Sequence, residues 1–212
     1  MDSTLSILRN LEFLEHPTPQ EMMTEEVGYQ PLLEREVVIK RLNPSAADNA
    51  RLRSLFIKEA RILSSLCHPN IVQVYDAAVD DNNLPYAVLA KPNGMRLQQR
   101  LDLLIEQEGR MELKEVEEVI LGVCEAVEFS HHNNVLLNDL SPTNIFLTTS
   151  GRTVLMGLGQ PPPGEILAAP PRMLAYAAPE RLFGGRVDTQ SDIYSLGAVS
   201  YTHLTLPTTI PS

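Results

Sequence analysis

The chain has 212 residues, of which 43% are hydrophobic and 21% are charged, a composition typical of a globular protein with a substantial core. Its formal net charge of -10 argues against nucleic acid or an anionic membrane surface as the partner. The apolar runs are shorter than the roughly 18 residues of a membrane-spanning helix, the N-terminus lacks a secretion signal, and the two cysteines are far apart, so we expect a cytoplasmic protein without a membrane span.

The first predicted elements in chain order are strands and one helix. The β-branched run REVVIKRL, residues 35–42, predicts a strand. In NARLRSLFIKEARILSSL, residues 49–66, the apolar side chains recur at helical spacing with basic residues on the other face, which predicts an amphipathic helix. Two further strands are predicted in HPNIVQVYDAAV and LPYAVLAKP, and the turn DDNN separates them.

The later predicted elements are mostly helices. One helix is expected in RLQQRLDLLIEQEG and a longer one in LKEVEEVILGVCEAVEFSHHNN. Short strands in NIFLT and RTVLMG follow, and then the proline-rich stretch GQPPPGEILAAPPRM, which must be a loop. A last helix starts in DIYSLGA. Because the strands come early and the helices late, the order predicts an α+β fold with two lobes.

The stretch with the most specific chemistry is LLNDLSPTNIFL, residues 136–147. It places an acid, Asp139, five residues before an amide, Asn144, within an apolar frame. This is the spacing of the protein-kinase catalytic loop, H-R-D-L-x-x-x-N. The histidine and arginine of that loop are replaced here by Leu137 and Asn138.

Together with this loop, several other motifs in the same order resemble the protein kinases, and most closely the bacterial serine/threonine protein kinases, over residues 5–198. The resemblance implies a bilobal kinase-like fold, with a β-rich small lobe at 1–91 and a partial large lobe at 92–198. It implies that Lys40 of VVIK contacts the α- and β-phosphates of ATP and that Glu59 of FIKEARIL is the ion-pair partner of Lys40.

The resemblance assigns roles to further residues of both lobes. Leu89 begins the expected hinge, Leu89–Pro92, whose backbone would face adenine. In the catalytic loop, Asp139 would orient the substrate hydroxyl and Asn144 would be a magnesium ligand. Asp192 of SDIYSLG would support the backbone of this loop. The Ala-Pro-Glu motif of the family is found in AYAAPERL.

The nucleotide-binding loop departs from the family pattern. Aligned without gaps upstream of Lys40, its three main glycines are replaced by larger residues, which are Thr18, Gln20 and Met23. Glycines are needed there because backbone N–H groups must approach the phosphates closely. Three acids stand nearby and would repel the phosphates: Glu21, Glu25 and Glu26.

The expected metal site is also altered. Gly157 of MGLGQ replaces the aspartate of the family's Asp-Phe-Gly, so Asn144 alone remains as a weak magnesium ligand. Ser141 replaces the lysine that helps to neutralise the transferring phosphoryl group. These losses would raise the reaction barrier by roughly 4 kcal/mol, about a thousandfold in rate. We therefore expect weak ATP binding at most and a doubtful magnesium site.

The sequence thus predicts a catalytically impaired pseudokinase that acts as a signalling and binding module with a protein partner. The loop from Gly157 to Glu180 contains no serine or threonine that phosphorylation could activate. The alternative is an active serine/threonine protein kinase that transfers the γ-phosphate of ATP to protein hydroxyls. That enzyme would use Lys40, Glu59, Asp139 and Asn144, and Gly157 is the feature that argues against it.

The last residues, 199–212, differ in composition from the rest of the chain. VSYTHLTLPTT is rich in threonine and has no acidic residue, lysine or arginine. One back-translation of residues 199–208 resembles the transposon-end adapter of sequencing libraries. We therefore expect a non-native tail with few buried contacts, on a kinase-like domain that is truncated.

Overall fold

The structure is a computed structural model, and it describes residues 7–14, 18–19, 23–138, 140–157 and 174–201. Contacts between these residues divide the chain into two units. The first unit contains the described residues up to Cys67 together with Val72–Lys91. The second contains His68–Ile71, Pro92–Gly157 and the described residues from position 174 onward.

The first unit is built on an antiparallel sheet with the order β1-β3-β4-β6-β5, in which β2 also pairs with β3. The strands are β1 (Glu12–Phe13), β2 (Thr18–Pro19), β3 (Met23–Gln30), β4 (Arg35–Leu42), β5 (Val74–Val79) and β6 (Pro85–Ala90). The predicted strand at 35–42 is confirmed as β4. It lies between β3 and β6, and Val37 and Ile39 within it are fully buried.

Two helices follow β4, namely α1 (Pro44–Asp48) and α2 (Ala50–Ser65). The side chain of Asn49 caps α2 by accepting hydrogen bonds from the N–H groups of Arg51 and Leu52. The helix packs against β5 and β6, and it buries Phe56 and Leu63. The amphipathic helix that the spacing predicts is therefore present.

The second unit combines a small antiparallel sheet with helices. The sheet has the order β7-β8-β9, from β7 (Gly94–Arg96), β8 (Ile145–Thr148) and β9 (Thr153–Leu155). The helices are α3 (Leu97–Glu106), α4 (Leu113–His132), α5 (Pro179–Leu182) and α6 (Thr189–Val199). The long helix α4 packs against β9 and α6 with an apolar face at helical spacing, which includes Val116, Val119, Val123 and Val127.

The α+β class with an early antiparallel sheet is confirmed. Strand β3 was not predicted as a strand, and the proline-rich loop predicted at 159–173 lies outside the described residues. Val199 at the end of α6 is 2% exposed and Tyr201 is 64% exposed, while residues 202–212 lie outside the described residues, so the non-native tail stays a prediction. Within the described part of the chain, no helix is both long and apolar enough to cross a membrane.

Candidate active site

Lys40 lies in the middle of β4, opposite Glu25 of β3 and Ala87 of β6. Its side chain is 3% exposed. An ammonium group at such depth has lost its water, so it needs anionic neighbours to remain charged. The carboxylate of Glu25 supplies one, with Oε2 4.0 Å from Nζ of Lys40.

The acids of β3 divide between the two faces of the sheet. Directly paired residues on neighbouring antiparallel strands share a face, and successive residues alternate. Glu25 therefore lies on the face of Lys40, whereas Glu26 lies on the other face, where its Oε1 is 3.9 Å from Nη1 of Arg41. Arg41 also approaches Asp80, with Nε 3.6 Å from Oδ2. Of the two, only Glu25 can stand close to a group bound at Lys40.

The flanks of the expected nucleotide-binding loop form an antiparallel pair. Thr18 and Pro19 of β2 pair with Glu25 and Thr24 of β3. Met23 starts β3 and is 4% exposed, so a buried side chain stands where the family has its third glycine. The other two loop positions named above, Gln20 and Glu21, lie outside the described residues.

Leu89 and Glu59 hold different places in the first unit. Leu89 is fully buried inside β6, opposite Val38 of β4 and Val74 of β5. The sheet continues to Ala90, whose N–H donates to the carbonyl oxygen of Gln73 at 2.9 Å, so the first two residues of the expected hinge belong to β6. The hinge role of Leu89 stays a prediction. Glu59 is half-buried on α2. Its pairing with Lys40 stays a prediction.

In the second unit, Asp192 of α6 organises the segment that leads from α4 into the catalytic loop. Its carboxylate is buried, and it accepts the backbone N–H of Leu137 at Oδ2 and that of Asn138 at Oδ1, each at 2.9 Å. The imidazole Nε2 of His131, at the end of α4, also lies 2.9 Å from Oδ2. Three polar partners compensate the loss of hydration at this carboxylate.

The catalytic loop itself begins with an unusual backbone conformation. Asn138 has φ +61°, a left-handed conformation that asparagine tolerates better than most residues. Asp139, the expected catalytic acid, lies outside the described residues. Ser141 is 1% exposed, and its Oγ lies 2.9 Å from Oγ1 of Thr143. A part-buried hydroxyl pair therefore occupies the place of the family's lysine.

The structure brings the two expected magnesium positions next to each other. The N–H of Met156 donates to the carbonyl oxygen of Asn144 at 2.8 Å, which places Asn144 beside the residue that precedes Gly157. Among the described residues, the nearest atom to a Cβ added at Gly157 would be the carbonyl oxygen of Leu137, at 3.7 Å. The described neighbours therefore leave room for a Cβ atom at this position.

Among the described residues, the donors at the expected magnesium site do not fit a resident magnesium ion. Magnesium prefers carboxylate oxygens in octahedral geometry, and Gly157 contributes none. Among the residues that the structure describes, no group of three or more His, Cys, Asp or Glu side chains could hold a metal ion.

Sequence reasoning missed the direct opposition of Glu25 and Lys40, because it treated residues 18–26 as a loop and assigned no register to them. Recognising β3 as a strand would have found it, since an antiparallel pairing with β4 sets which residues face each other. The hydroxyl pair at Ser141 was also missed, and it has no sequence signal beyond the replaced lysine.

Several known protein kinases are similar to this chain. The chain is similar to the serine/threonine-protein kinase PknD of Protochlamydia amoebophila, with 30% identity over 210 residues, covering 85% of this chain and 21% of the relative. It is similar to the serine/threonine-protein kinase PknB of Mycobacterium tuberculosis, with 33% identity over 183 residues, covering 82% of this chain and 29% of the relative. The chain thus spans less than a third of the length of these two relatives.

Solved structures agree on the fold. The crystal structure of the M. tuberculosis PknI kinase domain matches with a TM-score of 0.72 at 23% identity, covering 90% of this chain and 70% of that one. The family model described as the protein kinase domain matches residues 29–211. Because that match takes in nearly the whole chain, the chain belongs to the protein kinase domain family.

Proposed function

We propose that this chain is a pseudokinase, a kinase-like domain that binds a protein partner and transfers phosphate poorly or not at all. The observation that carries the proposal is Gly157. The carboxylate that should bridge magnesium to the β- and γ-phosphates is missing at a position where the described residues leave room for a Cβ atom. Phosphoryl transfer consists almost entirely of positioning and charge neutralisation, so the loss of this ligand removes a main contribution to rate.

Charge counting supports the same proposal. ATP brings about four negative charges, which active kinases offset with two metal ions, a lysine and backbone donors. Here the carboxylate of Glu25 lies 4.0 Å from Lys40, and Ser141 provides a hydroxyl instead of an ammonium. We therefore expect ATP to bind weakly, and magnesium to add little to its affinity.

The second candidate is an active serine/threonine protein kinase. It is favoured by the intact support of the catalytic loop, where Asp192 holds the backbone of Leu137 and Asn138. Lys40, Glu59, Asp139 and Asn144 would then act as in the family. The relatives described above carry the name serine/threonine-protein kinase.

A protein partner follows from the family, in which kinases act on protein substrates. The net charge of -10 makes nucleic acid or an anionic membrane an unfavourable partner. Cys67 and Cys124 are free thiols, as expected of a protein that works in a reducing compartment such as the cytoplasm. We propose the cytoplasm as the place of action.

The test is a thermal-shift titration of the 212-residue chain with ATP, with and without magnesium, beside a phosphotransfer assay on a general protein substrate. Ligand at a hundred times its Kd stabilises a protein by about 2.7 kcal/mol, so an ordinary kinase would show a clear shift in Tm. We expect no magnesium-dependent shift and no measurable turnover. A large magnesium-dependent shift with turnover near roughly 1 s⁻¹, the low end for kinases, would establish the second candidate.

A further inference from the structure

Glu25 stands in a chemically informative place. Thr18, Gln20 and Met23 occupy the three glycine positions of the family motif G-x-G-x-x-G-x-V. The motif's valine, two positions after its third glycine, corresponds to Glu25. Where the family presents an apolar side chain next to the nucleotide-binding glycines, this chain presents a carboxylate.

That carboxylate faces Lys40 across the sheet. Glu25 and Lys40 are direct partners in the pairing of β3 with β4, so their side chains leave the sheet on the same face. Oε2 of Glu25 is 4.0 Å from Nζ of Lys40, and the two side chains are 15% and 3% exposed. The Coulomb attraction of opposite charges at this distance is strong because little water screens it.

In the family, the buried ammonium group of this lysine normally pairs with a nucleotide phosphate. The Glu25 carboxylate provides the same kind of charge from within the chain. We propose that Glu25 is a built-in counter-ion that takes the place of the nucleotide phosphates at Lys40, stabilising the buried ammonium group and repelling polyphosphate anions from this face of the sheet. The inference rests on the proposed function, because it gives Lys40 an anionic neighbour in a domain that we propose binds ATP weakly.

Glu26 offers a matched control on the same strand. It is the next residue, it has the same charge, and its side chain is 8% exposed beside Arg41, with 3.9 Å between Oε1 and Nη1. It lies on the opposite face from Lys40. A change in anion binding that depends only on net charge would therefore be the same for both acids, whereas the proposal predicts a difference.

The experiment compares the wild-type chain with Glu25→Gln and Glu26→Gln by thermal shift, titrating inorganic triphosphate and ATP in the absence of magnesium. Wild type and Glu26→Gln should show no anion-dependent rise in Tm. Glu25→Gln should have a lower Tm without ligand and should gain affinity for triphosphate by on the order of tenfold, since one like charge about 4 Å away is removed. An unchanged anion response in Glu25→Gln, or an equal gain in Glu26→Gln, would overturn the proposal.

A double variant covers the case in which Glu25→Gln does not fold. The double variant Lys40→Met/Glu25→Val removes both charges and fills the space with apolar atoms. It should recover most of the Tm that either single substitution loses, and it should not respond to triphosphate. A double variant that is as unstable as the sum of the single variants would contradict the counter-ion role.

Failure of this inference can be told apart from failure of the proposed function. Turnover by the wild-type chain in the phosphotransfer assay would overturn the pseudokinase proposal and the inference with it. An inactive wild type with Glu25→Gln unchanged in its anion response would overturn the counter-ion role alone.

Discussion

His131 and Asp192 join helices α4 and α6, with the imidazole Nε2 2.9 Å from Oδ2 of the carboxylate. The same carboxylate accepts the backbone N–H groups of Leu137 and Asn138. One buried side chain therefore ties the end of a helix to the start of the catalytic loop. These contacts join His131, Leu137 and Asn138 to Asp192, and neither Ser141 nor Gly157 takes part in them.

The first prediction concerns this support. Asp192→Ala leaves two backbone N–H groups and an imidazole without their acceptor, and we expect it to lower the free energy of unfolding by about 3 kcal/mol. Asp192→Asn keeps one carbonyl acceptor and should cost less. The measurement is urea denaturation of each variant. Glu117→Gln, an exposed residue of α4, removes the same charge and should stay within about 0.5 kcal/mol of wild type. Equal midpoints for wild type and Asp192→Ala would refute the supporting role.

The second prediction uses two helical glycines with opposite surroundings. A Cβ atom at Gly122 of α4 would lie 2.9 Å from Nδ2 of Asn70 and 2.9 Å from Cβ of Thr153. A Cβ atom at Gly197 of α6 would meet no atom of the described residues within 4 Å. The contact at Gly122 is close because Asn70 donates from Nδ2 to the carbonyl oxygen of Thr153 at 2.8 Å.

We expect Gly122→Ala to destabilise the protein by roughly 1–3 kcal/mol through overpacking. Gly197→Ala should instead stabilise it by about 0.5–1 kcal/mol, because alanine has the higher helix propensity. The denaturation midpoints of the two variants show whether each substitution stabilises or destabilises the protein. A Gly122→Ala variant that is as stable as Gly197→Ala would show that the close approach of α4 to β9 is not as the structure has it.

The third prediction concerns the two thiols. Burial raises the pKa of the Cys124 thiol, and the charges of Glu125 and Glu128 raise it further. A group whose pKa is higher in the folded state contributes stability below its unfolded pKa and loses it as pH rises through the folded value. We therefore expect no loss of stability from this thiol between about pH 6 and 8, and a loss only above its unfolded value of roughly 8.5–9.

The same shift predicts slow alkylation, because the thiolate is the reactive form. At pH 8 iodoacetamide should modify the exposed Cys67 well before Cys124. Mass spectrometry of timed samples measures both rates, and the fast phase should vanish in Cys67→Ser. In urea, which unfolds the chain, the alkylation rates of Cys67 and Cys124 should become similar. Faster labelling of Cys124 in the folded chain would contradict this prediction.

Local periodicity was enough to predict much of the fold. Helices α2 and α4 show apolar residues at helical spacing, and β4 is a β-branched run. Both patterns indicate which side chains will be buried, so these three elements lie where the sequence predicts them. Strand β3 was missed because MTEEVGYQ has two adjacent acids and a glycine. Its strand character comes from pairing with β4 along its whole length, and this long-range pairing leaves no local signal.

The candidate site, like the fold, could be predicted from the sequence only in part. The role of Asp192 follows from motif resemblance, and the buried hydrogen bonds agree with it. The opposition of Glu25 and Lys40 depends on strand register, which changes the face of every side chain when it slips by one residue. The partition of Glu25 and Glu26 between two faces could not be obtained from composition or charge.

The fourth prediction concerns Lys40 and Glu59. A double-mutant cycle with Lys40→Met and Glu59→Gln should give a coupling energy of about 1 kcal/mol or more if the two side chains form the family's ion pair. The free energies of unfolding come from urea denaturation of the two single variants, the double variant and wild type. Asp102→Asn, an exposed residue of α3, replaces Glu59→Gln in a control cycle that should show no coupling. Additive effects of Lys40→Met and Glu59→Gln would exclude the pair.

The last prediction concerns the missing carboxylate. Gly157→Asp should fold with the stability of wild type to within about 0.5 kcal/mol, because among the described residues its Cβ meets only the carbonyl oxygen of Leu137, at 3.7 Å. It should nevertheless fail to restore phosphotransfer. Glu25 still lies 4.0 Å from Lys40, Ser141 still supplies no positive charge, and the nucleotide-binding loop still lacks its glycines.

The measurement compares wild type, Gly157→Asp and the uncharged control Gly157→Asn in a radiolabelled phosphotransfer assay, with magnesium-dependent ATP binding followed by calorimetry. We expect Gly157→Asp to gain a small magnesium dependence that Gly157→Asn lacks, since only the first adds a carboxylate ligand. Its turnover should remain about a thousandfold or more below that of an ordinary kinase. Turnover near roughly 1 s⁻¹ in Gly157→Asp would show that one lost ligand accounts for the whole impairment and that the charge balance around Lys40 is not limiting.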